Sequence, residues 1–304
     1  MELLYWFESI RMPFLDTLFS YVTLFGEESL FILIAVIMMW CVDKRAGYYM
    51  LTVGFLGNVA NAFLKLCFRI PRPWVHDPNF TIVESAREAA TGFSFPSGHT
   101  QAAFATLGVP ARITKILWLR IVLIALLVLV PISRMYLGVH YPSDVGISIL
   151  VGLVLLFTLY PVFYGKGASP KRMYILFSLM ALLSVAFLLF VELYSFPTDL
   201  DADNYESGVK NAYTMLGCAI ALLPSYYIDQ KYVHFKTEAP LWGQVLKVAL
   251  GLAIALAIRM VLKQPLLNLF GGHHVADAVR YFLMMLFAGG LWPMTFKFFS
   301  GKKS

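Results

Sequence analysis

Long apolar runs separated by short polar links are the dominant pattern of this chain. Runs near residues 16–41, 46–66, 98–112, 116–134, 143–163, 173–194, 209–228, 242–262 and 275–297 predict nine membrane-spanning helices. Most approach the roughly 20 residues that a helix needs to cross a bilayer. The third is shorter and starts directly after the tetrapeptide Pro96-Ser97-Gly98-His99. The links carry the charge. Lys44 and Arg45 follow the first run, Arg112 and Lys115 the third, Lys166, Lys171 and Arg172 the fifth, and Lys231 and Lys236 the seventh. Lys297, Lys302 and Lys303 follow the ninth. Every second link is therefore basic, and basic links stay on the cytoplasmic side. The link FPTDLDADNYESG after the sixth run is acidic and belongs to the other side. This alternation predicts an odd number of spans, an outer N-terminus and a cytoplasmic C-terminus.

Composition agrees with that pattern. Of the 304 residues, 59% are hydrophobic and 14% charged, against about a quarter charged in soluble domains. The expected class is all-α, a polytopic transmembrane helical bundle. The opening stretch MELLYWFESIRMPF lacks the basic region and small-residue cleavage site of a secretory signal. It reads as an interfacial amphipathic segment, with Tyr5, Trp6 and Phe7 at headgroup depth. The net charge of +6 is accounted for by the cytoplasmic links, so no nucleic-acid partner is expected. Cys41, Cys67 and Cys218 show neither a disulfide framework nor metal-ligand spacing, and no metal or other cofactor is expected. There is no internal repeat and no low-complexity tract.

Two outer links break the apolar pattern. Residues 67–97 form a link of about 30 residues, a length more often functional than idle, and 135–142 is a short one. Around them stand Lys65, Arg72-Pro73, the PSGH tetrapeptide, and Ser133-Arg134 with His140 and Asp144. Three cations, two imidazoles and one carboxylate thus gather at one membrane face. Phosphoryl transfer asks chiefly for positioning and charge stabilisation of the phosphoryl oxygens. Arginine meets phosphate as a planar fork and lysine as a point charge, so Lys65, Arg72 and Arg134 are candidate phosphate ligands. Ser97 and Gly98 stand at a helix start, where free N–H groups hold anions and a glycine permits close approach. Pro142 suits the first helical position. That places Asp144 in the first turn, within reach of His140. A carboxylate on one imidazole nitrogen fixes the tautomer and frees the other nitrogen to attack. His140 is therefore the candidate nucleophile, supported by Asp144, and His99 the general acid.

Each choice competes with a plainer one. Lys65 and Arg72 could be snorkelling anchors, although the outer side should be poor in them, and for Arg69 the anchor reading is preferred. Ser97 could be only a helix cap, and Asp144 only a first-turn acid. The alignment of the three blocks favours chemistry.

The blocks Lys-x6-Arg-Pro, Pro-Ser-Gly-His and Ser-Arg-x5-His-x3-Asp occur in order and without departure between residues 65 and 144. In them the sequence resembles the type 2 phosphatidic acid phosphatase superfamily of membrane lipid phosphatases. The resemblance implies a six-helix core, expected over residues 1–194 with the interfacial segment, and additional transmembrane helices over 195–304. It implies a phosphohistidine on His140, with His99 as acid and Asp144 in support. It also implies phosphate contacts from Lys65, Arg72, Ser97, Gly98 and Arg134. The expected function is metal-independent hydrolysis of a lipid phosphomonoester or pyrophosphate at the extracytoplasmic face. Phosphatidic acid, undecaprenyl pyrophosphate, phosphatidylglycerol phosphate and sphingoid phosphates fit equally well. Extra C-terminal spans also resemble glucose-6-phosphatase, which keeps a soluble sugar phosphate open. A phosphotransferase using the same phosphohistidine and a non-enzymatic lipid transporter are the alternatives. Transport needs no nucleophile, and the sequence is silent on oligomeric state.

A second group of ionisable residues, Arg259, Lys263, His273, His274, Asp277 and Arg280, lies in or beside the last two runs. Such residues inside a membrane are functional candidates by default. Asp277 and Arg280 are spaced to pair on one helix face. A structural ion pair and recognition of a lipid headgroup are evenly matched, and on the second reading Arg280→Ala shifts substrate preference or KM.

Overall fold

A computed structural model describes residues 1–88, 90–166, 168–197 and 201–300. Lys302 and Lys303, and residues 198–200 of the acidic link, lie outside the described residues. Among the described residues there are only helices and connecting loops. The all-α polytopic class read from the pattern is what is observed. Six helices are long and apolar enough to cross a membrane, and a bent pair over 13–42 would make a seventh. The chain falls into two compact units. One holds residues 1–35, 48–166 and 201–205, and the other holds 36–47, 167–200 and 206–304.

In the first unit, α1 (Glu2–Ser9) buries Leu4 and Phe7 and leaves Leu3, Tyr5 and Trp6 exposed, as an interfacial amphipathic helix should. Pro13 opens α2 (Pro13–Thr23). A tight 3₁₀ turn over Leu24–Gly26 separates it from α3 (Glu28–Ile37). The run expected as one span, 16–41, is therefore two helices meeting at 52°. The sequence reason is Gly26-Glu27-Glu28, a glycine and two acids in the middle of an apolar stretch. The helix α4 (Lys44–Phe68) leads through a short loop to α5 (Pro73–His76).

The third run also differs from a simple span. It is α6 (Gly98–Ala103), a π-helical turn over Phe104–Gly108, and α7 (Val109–Ile113). Residues 103–109 are all buried, and α6 packs against both α8 (Leu117–Tyr136) and α9 (Pro142–Tyr164). Irregular backbone at membrane depth is tolerated where protein surrounds it, and Pro110, which has no N–H, sits at the irregularity. Ala103 and Leu107 join Val22 and Val130 in the core there. On α9, Gly152 makes room for the Phe104 ring, which a Cβ would strike at 2.3 Å. The outer faces of α8 and α9 are exposed leucine, isoleucine, valine and aromatic residues, an apolar surface of the kind that meets lipid.

The second unit contains α10 (Pro170–Leu193), α11 (Ala202–Ile228, whose first turn belongs to the first unit), α12 (Leu241–Val261), α13 (Lys263–Leu269) and α14 (Val275–Leu286). The helix α11 is long enough to span, but it is not among the helices of sufficient apolarity. Asp203, Glu206 and Lys210 occupy its first third. Two cations in this unit are held by oxygen partners. Lys44 Nζ meets Asp229 Oδ2 at 2.7 Å. Lys247 Nζ donates to the carbonyls of Trp40 and Thr237 at 3.1 and 2.9 Å.

Candidate active site

The three sequence blocks converge within the first unit. The end of α4 carries Lys65 and the N-cap of α5 is Arg72. Ser97 caps α6, and the last turn of α8 carries Arg134. His140 lies in the loop 137–141, and Asp144 in the first turn of α9. Lys65, Arg72 and Arg134 lie close enough for their positive charges to bear on the His140 ring, with His99 beside them.

His140 is 2% exposed and fixed from both sides of its ring. Its Nδ1 faces Asp144 Oδ2 at 3.2 Å, and its Nε2 faces Arg72 Nη1 at 2.9 Å. A carboxylate only accepts and a guanidinium only donates. The proton therefore belongs on Nδ1, and Nε2 presents its lone pair. Burial, first, and then the surrounding cations hold the His140 imidazole well below the usual histidine range, so it stays neutral. Asp144 is fully buried. Besides His140, its Oδ2 receives the Tyr141 N–H at 2.9 Å and the Ser94 hydroxyl at 2.5 Å. Pro142 opens the helix and Asp144 closes back on the Tyr141 N–H as a capping box. The four-residue spacing thus becomes a hydrogen-bonded pair.

The two arginines are held differently. Arg72 is anchored by backbone carbonyls: Nε to Gly92 at 3.1 Å, Nη1 to Val139 at 2.9 Å and Nη2 to Thr91 at 2.6 Å. Lys65 donates to the Phe93 carbonyl of the same loop. Arg134 has no exposed surface, yet it makes one protein hydrogen bond, from Nη1 to Thr23 Oγ1 at 2.7 Å. Its Nε and Nη2 are buried with no hydrogen-bond acceptor among the described residues, and so is His99 Nε2. Ser97 accepts from the Thr100 N–H at 3.3 Å and the Thr100 hydroxyl at 3.0 Å, so it caps the helix. Gly98 is exposed, and a Cβ there would meet nothing nearer than Asn61 Oδ1 at 4.0 Å. Arg69 turns back onto its own helix and donates to the Leu66 carbonyl at 3.0 Å, the plain role expected of it. Among the described residues, no group of three or more His, Cys, Asp and Glu side chains is placed to hold a metal ion.

Three neighbours of the site escaped the sequence reading. Ser94 is fully buried, and its only sequence signal is a small hydroxyl between Phe93 and Phe95. Thr23 and Gly26 come from the first apolar run, where nothing in the pattern points to chemistry.

Chemically the arrangement offers a neutral imidazole lone pair, a carboxylate behind it, and a bidentate guanidinium edge with no hydrogen-bond acceptor among the described residues. Residues 45–168 match the model of the PAP2 superfamily, and residues 213–304 match that of the PAP2 superfamily phosphatase transmembrane extension. The chain belongs to the PAP2 superfamily. All three sequence blocks fall inside the first PAP2 match, and α11 to α14 supply the second. Two curated PAP2 relatives are similar in sequence. A probable sphingosine-1-phosphate phosphatase of Dictyostelium discoideum is 32% identical over 172 residues, covering 52% of this chain and 41% of the relative. The undecaprenyl-diphosphatase BcrC of Bacillus subtilis (strain 168) is 35% identical over 103 residues, covering 34% of this chain and 50% of the relative. The matches thus span half or less of these relatives' own length. No solved structure matches this chain significantly.

Proposed function

We propose that this PAP2 protein is a membrane lipid phosphatase working through a phosphohistidine on His140, without a metal. The observation that carries the reading is the Arg134 edge. A fully buried guanidinium whose Nε and Nη2 have no hydrogen-bond acceptor among the described residues is costly unless an anion meets it. Parallel N–H groups on one edge suit two oxygens of a single phosphoryl group. Lys65, Arg72, Ser97 and Gly98 complete the phosphate contacts.

The steps follow from the ring geometry. The His140 Nε2 lone pair attacks phosphorus, the N–P bond forms and the bond to the leaving oxygen breaks. His99 Nε2 gives that oxygen its proton. The positive charge left on the His140 ring is offset by Asp144 at Nδ1. Arg72 Nη1, which rests on Nε2, passes to a phosphoryl oxygen as the lone pair is spent. A water then attacks phosphorus, His99 takes up its proton, and the N–P bond breaks to release phosphate. Cationic side chains supply the transition-state stabilisation that a metal would otherwise give.

The substrate class is a lipid phosphomonoester or pyrophosphate. The names of the two relatives put a sphingoid phosphate and undecaprenyl pyrophosphate at the head of the candidates. The alternation of basic links supports a site on the extracytoplasmic side, with the N-terminus outside and the C-terminus in the cytoplasm. Residues 1–194 form the phosphatase core and 195–304 the added helices. The test is phosphate release by purified protein in EDTA over a panel of lipid phosphates and pyrophosphates, with His140→Ala beside it. Release by the wild type alone supports the reading, and release by both proteins contradicts it. A phosphorylated acceptor in place of free phosphate would make the protein a phosphotransferase.

A further inference from the structure

The break between α2 and α3 touches the site twice. Thr23, in the last turn of α2, is 7% exposed and accepts from Arg134 Nη1 at 2.7 Å. Its β-branched side chain has few rotamers, so its oxygen is a fixed point. A guanidinium is planar. Fixing Nη1 therefore directs the opposite edge, Nε and Nη2, which is the edge with no hydrogen-bond acceptor among the described residues. Three residues on, Gly26 ends the 3₁₀ turn against the backbone of His99. A Cβ at Gly26 would stand 2.5 Å from the His99 carbonyl oxygen and 2.9 Å from its carbonyl carbon and Cβ. Backbone at that distance must move. Both residues lie outside the 45–168 family match.

We infer that the α2–α3 break is a positioning element of the active site, in which Thr23 aims the phosphate-binding edge of Arg134 and Gly26 seats His99. This rests on the phosphatase reading above. The 52° bend then has a purpose beyond lipid packing, because it brings one hydroxyl and one residue without a side chain to the two groups that handle the phosphoryl oxygens and the leaving group.

Four variants of the full-length protein test it: Thr23→Val, Thr23→Ser, Gly26→Ala, and Thr23→Val in an Arg134→Gln background. Steady-state kinetics are read beside direct calorimetric binding of inorganic phosphate, and thermal unfolding checks each fold. Removing a hydrogen bond to a charged partner predicts that Thr23→Val weakens phosphate binding and raises KM roughly tenfold or more. Thr23→Ser restores both to within about threefold. Gly26→Ala lowers kcat more than it raises KM. In the Arg134→Gln background Thr23→Val adds nothing further, because the two residues act as one unit. If Thr23→Val does not fold, Thr23→Ala replaces it. Wild-type phosphate binding in Thr23→Val, or an undiminished effect in the Arg134→Gln background, overturns the inference. A His140→Ala protein that still releases phosphate would instead overturn the catalytic reading, and the binding data would still decide the role of Thr23.

Discussion

Two clusters in this protein, one buried and one partly exposed, contain the same histidine–aspartate pair and surround it with opposite arrangements of charge. In the first unit His140 Nδ1 meets Asp144 Oδ2 at 3.2 Å, and in the second His274 Nδ1 meets Asp277 Oδ2 at 3.3 Å. The far nitrogen makes the difference. His140 Nε2 faces the Arg72 guanidinium at 2.9 Å and so presents a lone pair. His274 Nε2 faces Glu206 Oε1 at 2.8 Å, so both of its nitrogens face groups that only accept. The surroundings follow suit. Around His140, several cations gather on Asp144, the Glu27 charge also bears on Arg134, and two nitrogens of Arg134 have no hydrogen-bond partner among the described residues. In the second cluster charges alternate, with Arg280 on Asp277, Asp277 on His274 and His274 on Glu206. Gathered like charges need an anion to offset them, whereas alternating ones largely offset one another, although Arg280 Nε, like Arg134 Nε, is buried without a hydrogen-bond partner among the described residues. A histidine and a carboxylate a helical turn apart therefore do not identify an active site. The partner of the other ring nitrogen does.

The comparison breaks first at Arg134. If its free edge is the phosphate fork, Arg134→Ala should lower kcat/KM by about 10² to 10³, in line with the loss of a buried charge-stabilising donor, and Arg134→Lys should recover little because a lysine has no fork. Steady-state kinetics on the preferred lipid check both.

At Arg280 the expected effect is on stability. Arg280→Ala removes one of the two partners of the buried Asp277 and leaves His274, so it should lower the thermal unfolding midpoint, by less than the roughly 3–5 kcal/mol of a buried charge left with no partner, while leaving kcat/KM within about twofold. A folded variant with an altered KM or substrate preference would return the headgroup reading of this cluster.

Ser94 sharpens the first cluster. Its hydroxyl shares Asp144 Oδ2 with His140. Ser94→Ala should lower kcat roughly tenfold, the worth of one hydrogen bond to a charged group, with KM little changed, and Ser94→Thr should recover part of it.

The smallest effect is in the pH dependence of stability. The unfolded chain protonates His140 near a pKa of about 6.5, while the folded chain holds it well below. Below that pH the unfolded state binds the extra proton, so stability falls as pH drops through about 6.5 and is insensitive to this group above it. Thermal unfolding between about pH 5 and 8 should show a shallower acid slope for His140→Gln than for the wild type.

Much of this was legible in the residues, and what was not is physically specific. The His140–Asp144 pair follows from a four-residue spacing and a proline at the helix start, both local facts. The three blocks announced their chemistry because charge is rare in an apolar chain. Hydropathy reads the helical class, but it does not show that residues 98–112 break into two short helices around a π-helical turn. Residues 16–41 were read as one helix although Glu27 and Glu28 sat in the middle. Thr23, Gly26 and Ser94 act across more than 40 positions of sequence, through a hydroxyl or an absent side chain, and no periodicity marks them. The anchoring of Arg72 on the Thr91, Gly92 and Val139 carbonyls is likewise a property of loop backbone.

The central claim is that His140 Nε2 forms the bond to phosphorus. Its most direct test is to quench the purified enzyme with radiolabelled substrate in alkali, where a phosphohistidine survives, and to map the label by mass spectrometry. The account predicts an acid-labile label on His140, absent from His140→Ala and longer-lived in His99→Ala, which lacks the group that activates the water. Label on another residue, or full turnover with no trapped label in either the wild type or His99→Ala, would contradict it.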